Sequence, residues 1–109
     1  MEELEMDETS FAAIRSVADS GDPMITLSGE LDISSAEIFR RAVEDVVKDS
    51  PGRLVIDLRE LTFMDSSGIA VMVYASNNVA DVQLCHASTI VRRVIEVTGL
   101  SDVLRLEPS

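Results

Sequence analysis

The feature that most constrains this chain is Leu54-Val55-Ile56-Asp57-Leu58, a short and nearly unbroken apolar run. It follows Pro51-Gly52 and a stretch with helical periodicity. A run of this length, rich in branched aliphatics and bounded by turn residues, reads as a strand covered on both faces. The segment before it places Ile38, Ala42 and Val46, with Phe39, Val43 and Val47 beside them, at four-residue intervals. That is an amphipathic helix ending near Ser50. Ser34-Ser35-Ala36-Glu37 fits a capping box, with Ser34 as cap and Glu37 reaching back from the third helical position.

The remaining elements follow from the same reading. Phe11 to Ala18 is a first strand, ended by the turn cluster Asp19-Ser20-Gly21-Asp22-Pro23. Met24 to Ser28 returns as a second, closed by Gly29, and Glu30 to Ile33 connects to the helix. After the apolar run, Arg59 to Met64 reads as a loop leading to Asp65-Ser66-Ser67-Gly68 and a second helix over Ile69 to Asn77. Val82 to His86 is a further strand. Ser88 then caps a third helix with Ile90, Val91, Val94 and Ile95 on its apolar face, and Gly99 stands just past its end. Leu104 to Leu106 offers a last short edge strand. Strands separated by crossover helices favour parallel pairing. The expectation is a single α/β domain with a mixed, mostly parallel sheet of four to five strands flanked by three helices. The domain takes residues 9–109, and residues 1–8 form a flexible acidic tail built on Glu2, Glu3, Glu5, Asp7 and Glu8.

Charge and composition narrow the function. Twenty acids against nine bases give a net charge of −11, a surface that repels phosphate backbones and anionic lipid headgroups. Nucleic acid and membrane are therefore not expected as partners; a basic or mixed protein surface is, and self-association is disfavoured, so a monomer is expected. The acidic start lacks the basic and apolar regions of a secretory signal, and no apolar run approaches the roughly 20 residues of a membrane span. A cytoplasmic location follows as an expectation.

Catalytic chemistry finds little support. Cys85, the single cysteine, sits in Val82-Gln83-Leu84-Cys85 and reads as a small core residue. His86 is the single histidine, and neighbouring strand positions point to opposite faces, so neither a Cys-His pair nor a metal cluster is expected from them. No Gly-rich phosphate loop or Ser-His-Asp arrangement is present. Asp57 ends a buried strand as the phosphoacceptor of a response-regulator receiver does. A receiver, however, needs further Mg²⁺-binding acids after an early strand, a lysine after a late one, and a β-α start. Here the only lysine is Lys48, on the first helix. The chain is expected not to be an enzyme, and to need no cofactor or metal.

The stretch Leu61-Thr62-Phe63-Met64-Asp65-Ser66-Ser67-Gly68 is the unusual one. Asp and Ser at a helix start are favoured caps, which alone explains them. Together with Leu27-Ser28-Gly29-Glu30-Leu31-Asp32, the apolar run and Val97-Thr98-Gly99-Leu100, they resemble the STAS domain, specifically its anti-sigma-factor antagonists. The resemblance spans Phe11 to Leu106. It implies that Ser66 is phosphorylated by an anti-sigma factor that is itself a serine kinase using its own bound ATP, and that a serine phosphatase restores the hydroxyl. The unphosphorylated form would capture the anti-sigma factor and release the sigma factor. Asp32, Asp65, Ser67, Gly68, Ile69 and Ala70 would form the partner-binding surface, with Asp32 near Ser66 and Ser67 a cap or packing residue. Two departures bear on partner choice: Ala70 where members often carry glycine, and Ala75 where they often carry a basic residue. The second helix also looks about a turn short, leaving Val71 and Tyr74 as core residues or exposed ones. The alternative within the fold is a STAS subunit of another assembly, in lipid transport or stress sensing, that docks a partner without phosphorylation.

Overall fold

A computed structural model describes residues 11–107; the acidic tail and its boundary at residues 8 and 9 lie outside them. The elements are β1 (Ala12–Val17), β2 (Pro23–Leu31), α1 (Ala36–Val47), β3 (Arg53–Met64), α2 (Ser66–Asn78), β4 (Asp81–Cys85), α3 (Thr89–Val97), a 3-10 turn (Leu100–Asp102) and β5 (Arg105–Leu106). Five strands form one sheet in sequence order, β1 antiparallel to β2 and the rest parallel. This is the expected α/β architecture with a mixed, mostly parallel sheet and three helices.

Register explains where the core sits. Ile25 pairs with Ile56 and Ile56 with Leu84, so one face of the sheet carries Ile25, Leu27, Leu54, Ile56, Leu58, Val82 and Leu84. These join Phe39, Val43 and Val46 of α1, Val71, Met72 and Ala75 of α2, and Val91 and Ile95 of α3 in one buried core. Parallel strands laid down in chain order need right-handed crossovers in one direction, which bring all three helices to that face. The opposite face carries Ile14 (59% exposed) and the half-buried Thr26, Asp57 and Gln83. The central run is therefore covered by helices on one side only. Val55, on the other, is sheltered by its sheet neighbours. Val71 is buried, and Tyr74 packs against the core with the Arg40 guanidinium 5.2 Å from its ring centre. Ile38 and Ile90, placed by periodicity on apolar faces, are exposed.

The largest departure from the sequence reading lies at the top of β2 and β3. Gly29 does not end β2. At φ 92° it sits beside a register irregularity, and the strand continues to Leu31, the role of glycine at a bulge. Arg59 to Met64 is not a loop but the second half of β3, pairing Glu60 with Ser28, Leu61 with Gly29, Phe63 with Glu30 and Met64 with Leu31. Pairing with β4 stops at Asp57–Cys85, so this half is an edge. Its exposed positions (Arg59, Glu60, Thr62, Phe63) obscure the buried Leu61 and Met64.

The capping box does not form. Ser35, not Ser34, stands at the N-cap of α1, without a side-chain cap bond, and Glu37 lies beside Arg40 and Arg41. Ser88 does cap α3, accepting from the Val91 amide at 3.2 Å, and Gly99 follows at φ 77°.

Candidate functional site

Because Leu31 pairs with Met64, the next residues of the two strands, Asp32 and Asp65, leave the sheet side by side. The Asp65 amide donates to the Leu31 carbonyl at 3.1 Å, carrying the ladder one step further. The sheet thus brings the Asp32 turn and the start of α2 to one end of the molecule, as expected.

Asp65 is the N-cap of α2. Its carboxylate accepts from the Ser67 amide at 2.8 Å, and its carbonyl accepts from the amides of Gly68 and Ile69. Capping is therefore done by the aspartate, which leaves Ser66 free of that role. Ser66 is exposed in the first turn of α2, and among the described residues no side chain hydrogen-bonds its hydroxyl. A hydroxyl with no base against it is not an activated nucleophile; it is presented outward, as an acceptor of a transferred group would be.

Gly68 is the one expected partner-surface residue that the fold buries. A Cβ there would lie 2.7 Å from Leu31 Cγ and Cδ2 and from Met64 Cγ. Glycine lets α2 descend onto the ends of β2 and β3, and so sets where Ser66 points. Ser67 and Ile69 are half-buried and Ala70 is exposed.

Asp32 is held within its own turn. Its carboxylate accepts from the Ser34 hydroxyl at 2.7 Å, the Ser34 amide at 3.0 Å and the Ser35 hydroxyl at 3.3 Å. These bonds, that of the Ser34 hydroxyl first, keep the carboxyl below its ordinary range. Ser35, 4% exposed, links the turn back to β2 by donating to the Glu30 carbonyl at 2.8 Å. Two carboxylates and a helix N-terminus thus share one end of the sheet.

Two apolar residues at this end escaped the sequence reading. Ile33, next to Asp32, is 84% exposed, and Phe63, two residues before Asp65, is 43% exposed. The signal available for Phe63 was its place in a strand that outruns its neighbour. Of the two departures, only Ala70 alters the surface, since Ala75 is fully buried.

Away from this end the sequence reading missed a cluster. Cys85 and His86 do not point apart: His86 adopts a left-handed backbone at φ 61°, which breaks the strand alternation. Asp57, Cys85 and His86 then present side-chain donor atoms within 4.8 Å of one another. Among the described residues no helix is long and apolar enough to cross a membrane.

Comparison with known proteins agrees with this geometry. The STAS domain family model matches residues 13–109. The anti-sigma-F factor antagonist RsfB of Mycobacterium tuberculosis is 31% identical over 94 residues, covering 83% of this chain and 77% of its own. An anti-sigma-B factor antagonist of Listeria monocytogenes is 32% identical over 87 residues, 76% of each chain. The crystal structure of an anti-sigma factor antagonist from Mycobacterium paratuberculosis superposes with a TM-score of 0.82 at 29% identity, over 94% of this chain and 90% of its own. At 22% identity, where likeness speaks to fold alone, SpoIIAA in its unphosphorylated form superposes with a TM-score of 0.73 over 90% of each chain. The chain belongs to the STAS-domain family, with anti-sigma-factor antagonists among its relatives.

Proposed function

We propose that this chain is an anti-sigma-factor antagonist: unphosphorylated, it binds an anti-sigma factor and frees the sigma factor, and phosphorylation of Ser66 ends that binding. The observation that carries the reading is the exposed Ser66 hydroxyl in the first turn of α2, beside an aspartate that does the capping in its place. The names of the relatives support the partner class. The anti-sigma factor is the serine kinase and brings the ATP; a serine phosphatase resets the switch. The chain itself binds and does not catalyse. Asp32, Asp65, Ser67, Ile69 and Ala70 contribute to the docking surface around Ser66, and Ile33 and Phe63 supply the exposed apolar area that a protein partner would cover.

The test is labelling by the cognate anti-sigma factor with radioactive ATP, followed by peptide mapping. Label on the Ser66 peptide, lost in Ser66→Ala and kept in Ser67→Ala, is the expected result. Label that survives Ser66→Ala and disappears in Ser67→Ala moves the site by one residue. A partner that binds the chain but never labels it favours the STAS scaffold alternative, in which the same end docks without phosphorylation.

A further inference from the structure

We propose that Asp57, Cys85 and His86 form a zinc-binding site on the sheet face opposite the helices. Asp57 and Cys85 are cross-strand partners in the β3–β4 ladder, so their side chains emerge side by side. His86 would point away if β4 continued, but its left-handed backbone at φ 61° turns it back toward them. That conformation is uncommon outside glycine, and histidine, like asparagine and aspartate, is one of the side chains that adopts it most readily. The result is a carboxylate oxygen, a thiol sulfur and an imidazole nitrogen within 4.8 Å of one another. Zinc bonds of about 2.0–2.3 Å in tetrahedral geometry separate neighbouring donors by about 3.4–3.7 Å. The three donors therefore need to close by only about 1 Å, within the reach of small side-chain rotations.

Donor chemistry selects the metal. Calcium and magnesium take oxygen ligands, whereas a thiolate with an imidazole suits zinc. Three protein donors leave a fourth position open, on the side where His86 is exposed. The Cys85 thiol, 8% exposed, is pushed up to about 11, first by burial and then by the charges of Asp57 and Glu107. A dication between these groups reverses that balance: as sulfur binds the metal, the thiol proton passes to solvent. Arg59 Nη2 lies 2.8 Å from His86 Nε2. A guanidinium only donates, so Nε2 presents a lone pair, the form of imidazole that binds metal. That lone pair is engaged by Arg59, an exposed side chain that must swing aside for a metal to bind.

The experiment uses the untagged chain, in which Cys85 and His86 are the only cysteine and histidine. Cobalt(II) is titrated in while the thiolate-to-cobalt charge-transfer absorption is followed, and zinc is then used to displace it. The expected result is a band that saturates at one equivalent and is displaced by one equivalent of zinc. Cys85→Ser should abolish the band. Asp57→Asn and His86→Asn should weaken zinc at least about tenfold, the loss that even an outer-shell partner commonly causes; asparagine also tolerates the left-handed backbone at position 86. Circular dichroism of each variant confirms that it is folded. Absence of a thiolate band in the wild type, or zinc binding equally to wild type and folded Cys85→Ser, overturns the proposal.

Discussion

At the scale of single residues, the start of α2 divides labour among three neighbours. Asp65 caps, Ser66 is displayed, and Gly68 permits the approach of helix to sheet. Asp65→Ala removes the acceptor of the Ser67 amide and should cost about 0.5–2 kcal/mol in urea unfolding. Ser66→Ala removes an exposed hydroxyl that has no side-chain partner among the described residues, and should stay within about 0.5 kcal/mol of the wild type. Equal losses in the two variants would show that the serine shares the cap. Gly68→Ala places a methyl against Leu31 and Met64, neither of which is a flexible surface chain. Overpacking of this kind costs about 1–3 kcal/mol, and the same unfolding experiment reads it. Should Gly68→Ala leave stability unchanged, the close approach of α2 would not be a constraint. Because the same methyl pushes α2 outward, weaker binding by a folded Gly68→Ala would report displacement of Ser66, not loss of a contact.

At the scale of elements, the legible parts were those whose signal is local. Periodicity located α1 and α3, and Ser88 and Gly99, which act on adjacent backbone, marked the ends of α3. The apolar run found the first half of β3. Its second half was hidden because its support is non-local: Glu60 to Met64 are strand only by pairing with Ser28 to Leu31, and β2 extends that far only through the irregularity at Gly29. The same limit applied to the candidate site. Asp65, Ser66 and Gly68 stood out in one motif, but the adjacency of Asp32 rests on the Leu31–Met64 pair, and here family resemblance supplied what spacing could not. The Asp57–Cys85–His86 cluster was missed because alternation holds only while a strand lasts, and β4 ends at Cys85. A second non-local feature joins β3, β4 and β5: Asp81 accepts from Arg105 Nε at 2.9 Å and Arg53 Nε at 2.8 Å. These bonds, Arg105 first, hold its carboxyl below the ordinary value of 3.8. A carboxyl depressed in the folded state adds stability that is complete above its unfolded pKa and is lost as pH falls through the folded one. The pairs are partly exposed, so their contribution should be small. Asp81→Asn should thus lower the melting temperature at pH 7 and narrow its gap to the wild type as pH drops below about 3.8. A gap that is constant across that range would show that the ion pairs contribute nothing.

At the scale of the whole molecule, a net charge of −11 is carried by a chain with one core and one proposed docking end. Charge of one sign opposes compactness, and salt screens it, with a Debye length falling from about 30 Å at 0.01 M to about 8 Å at 0.15 M. The melting temperature should therefore rise over that range of sodium chloride. A fall would mean that the ion pairs of Asp81 and Arg15 outweigh the general repulsion. In the proposed switch, phosphorylation would add about −1.5 to −2 charges at Ser66, yet the fold would have little reason to change. The helix N-terminus favours an anion by about 0.3–1 kcal/mol, and repulsion from Asp65 is about 1 kcal/mol at 4 Å in bulk water. The two oppose each other and leave a net cost of only about 1 kcal/mol, and the core packs on the far side of α2 from the exposed serine. A docked partner excludes solvent and strengthens the repulsion several-fold. A loss of about 2–3 kcal/mol in binding lowers affinity roughly 30- to 150-fold. We expect phosphorylated and unmodified protein to melt within a few degrees of each other while differing by that factor in titrations with the anti-sigma factor. Backbone NMR shifts should be confined to Asp32–Ser35 and Asp65–Ala70. Shifts that spread through β1 and α3 would instead show that the added charge repacks the domain, and that the switch acts by conformational change.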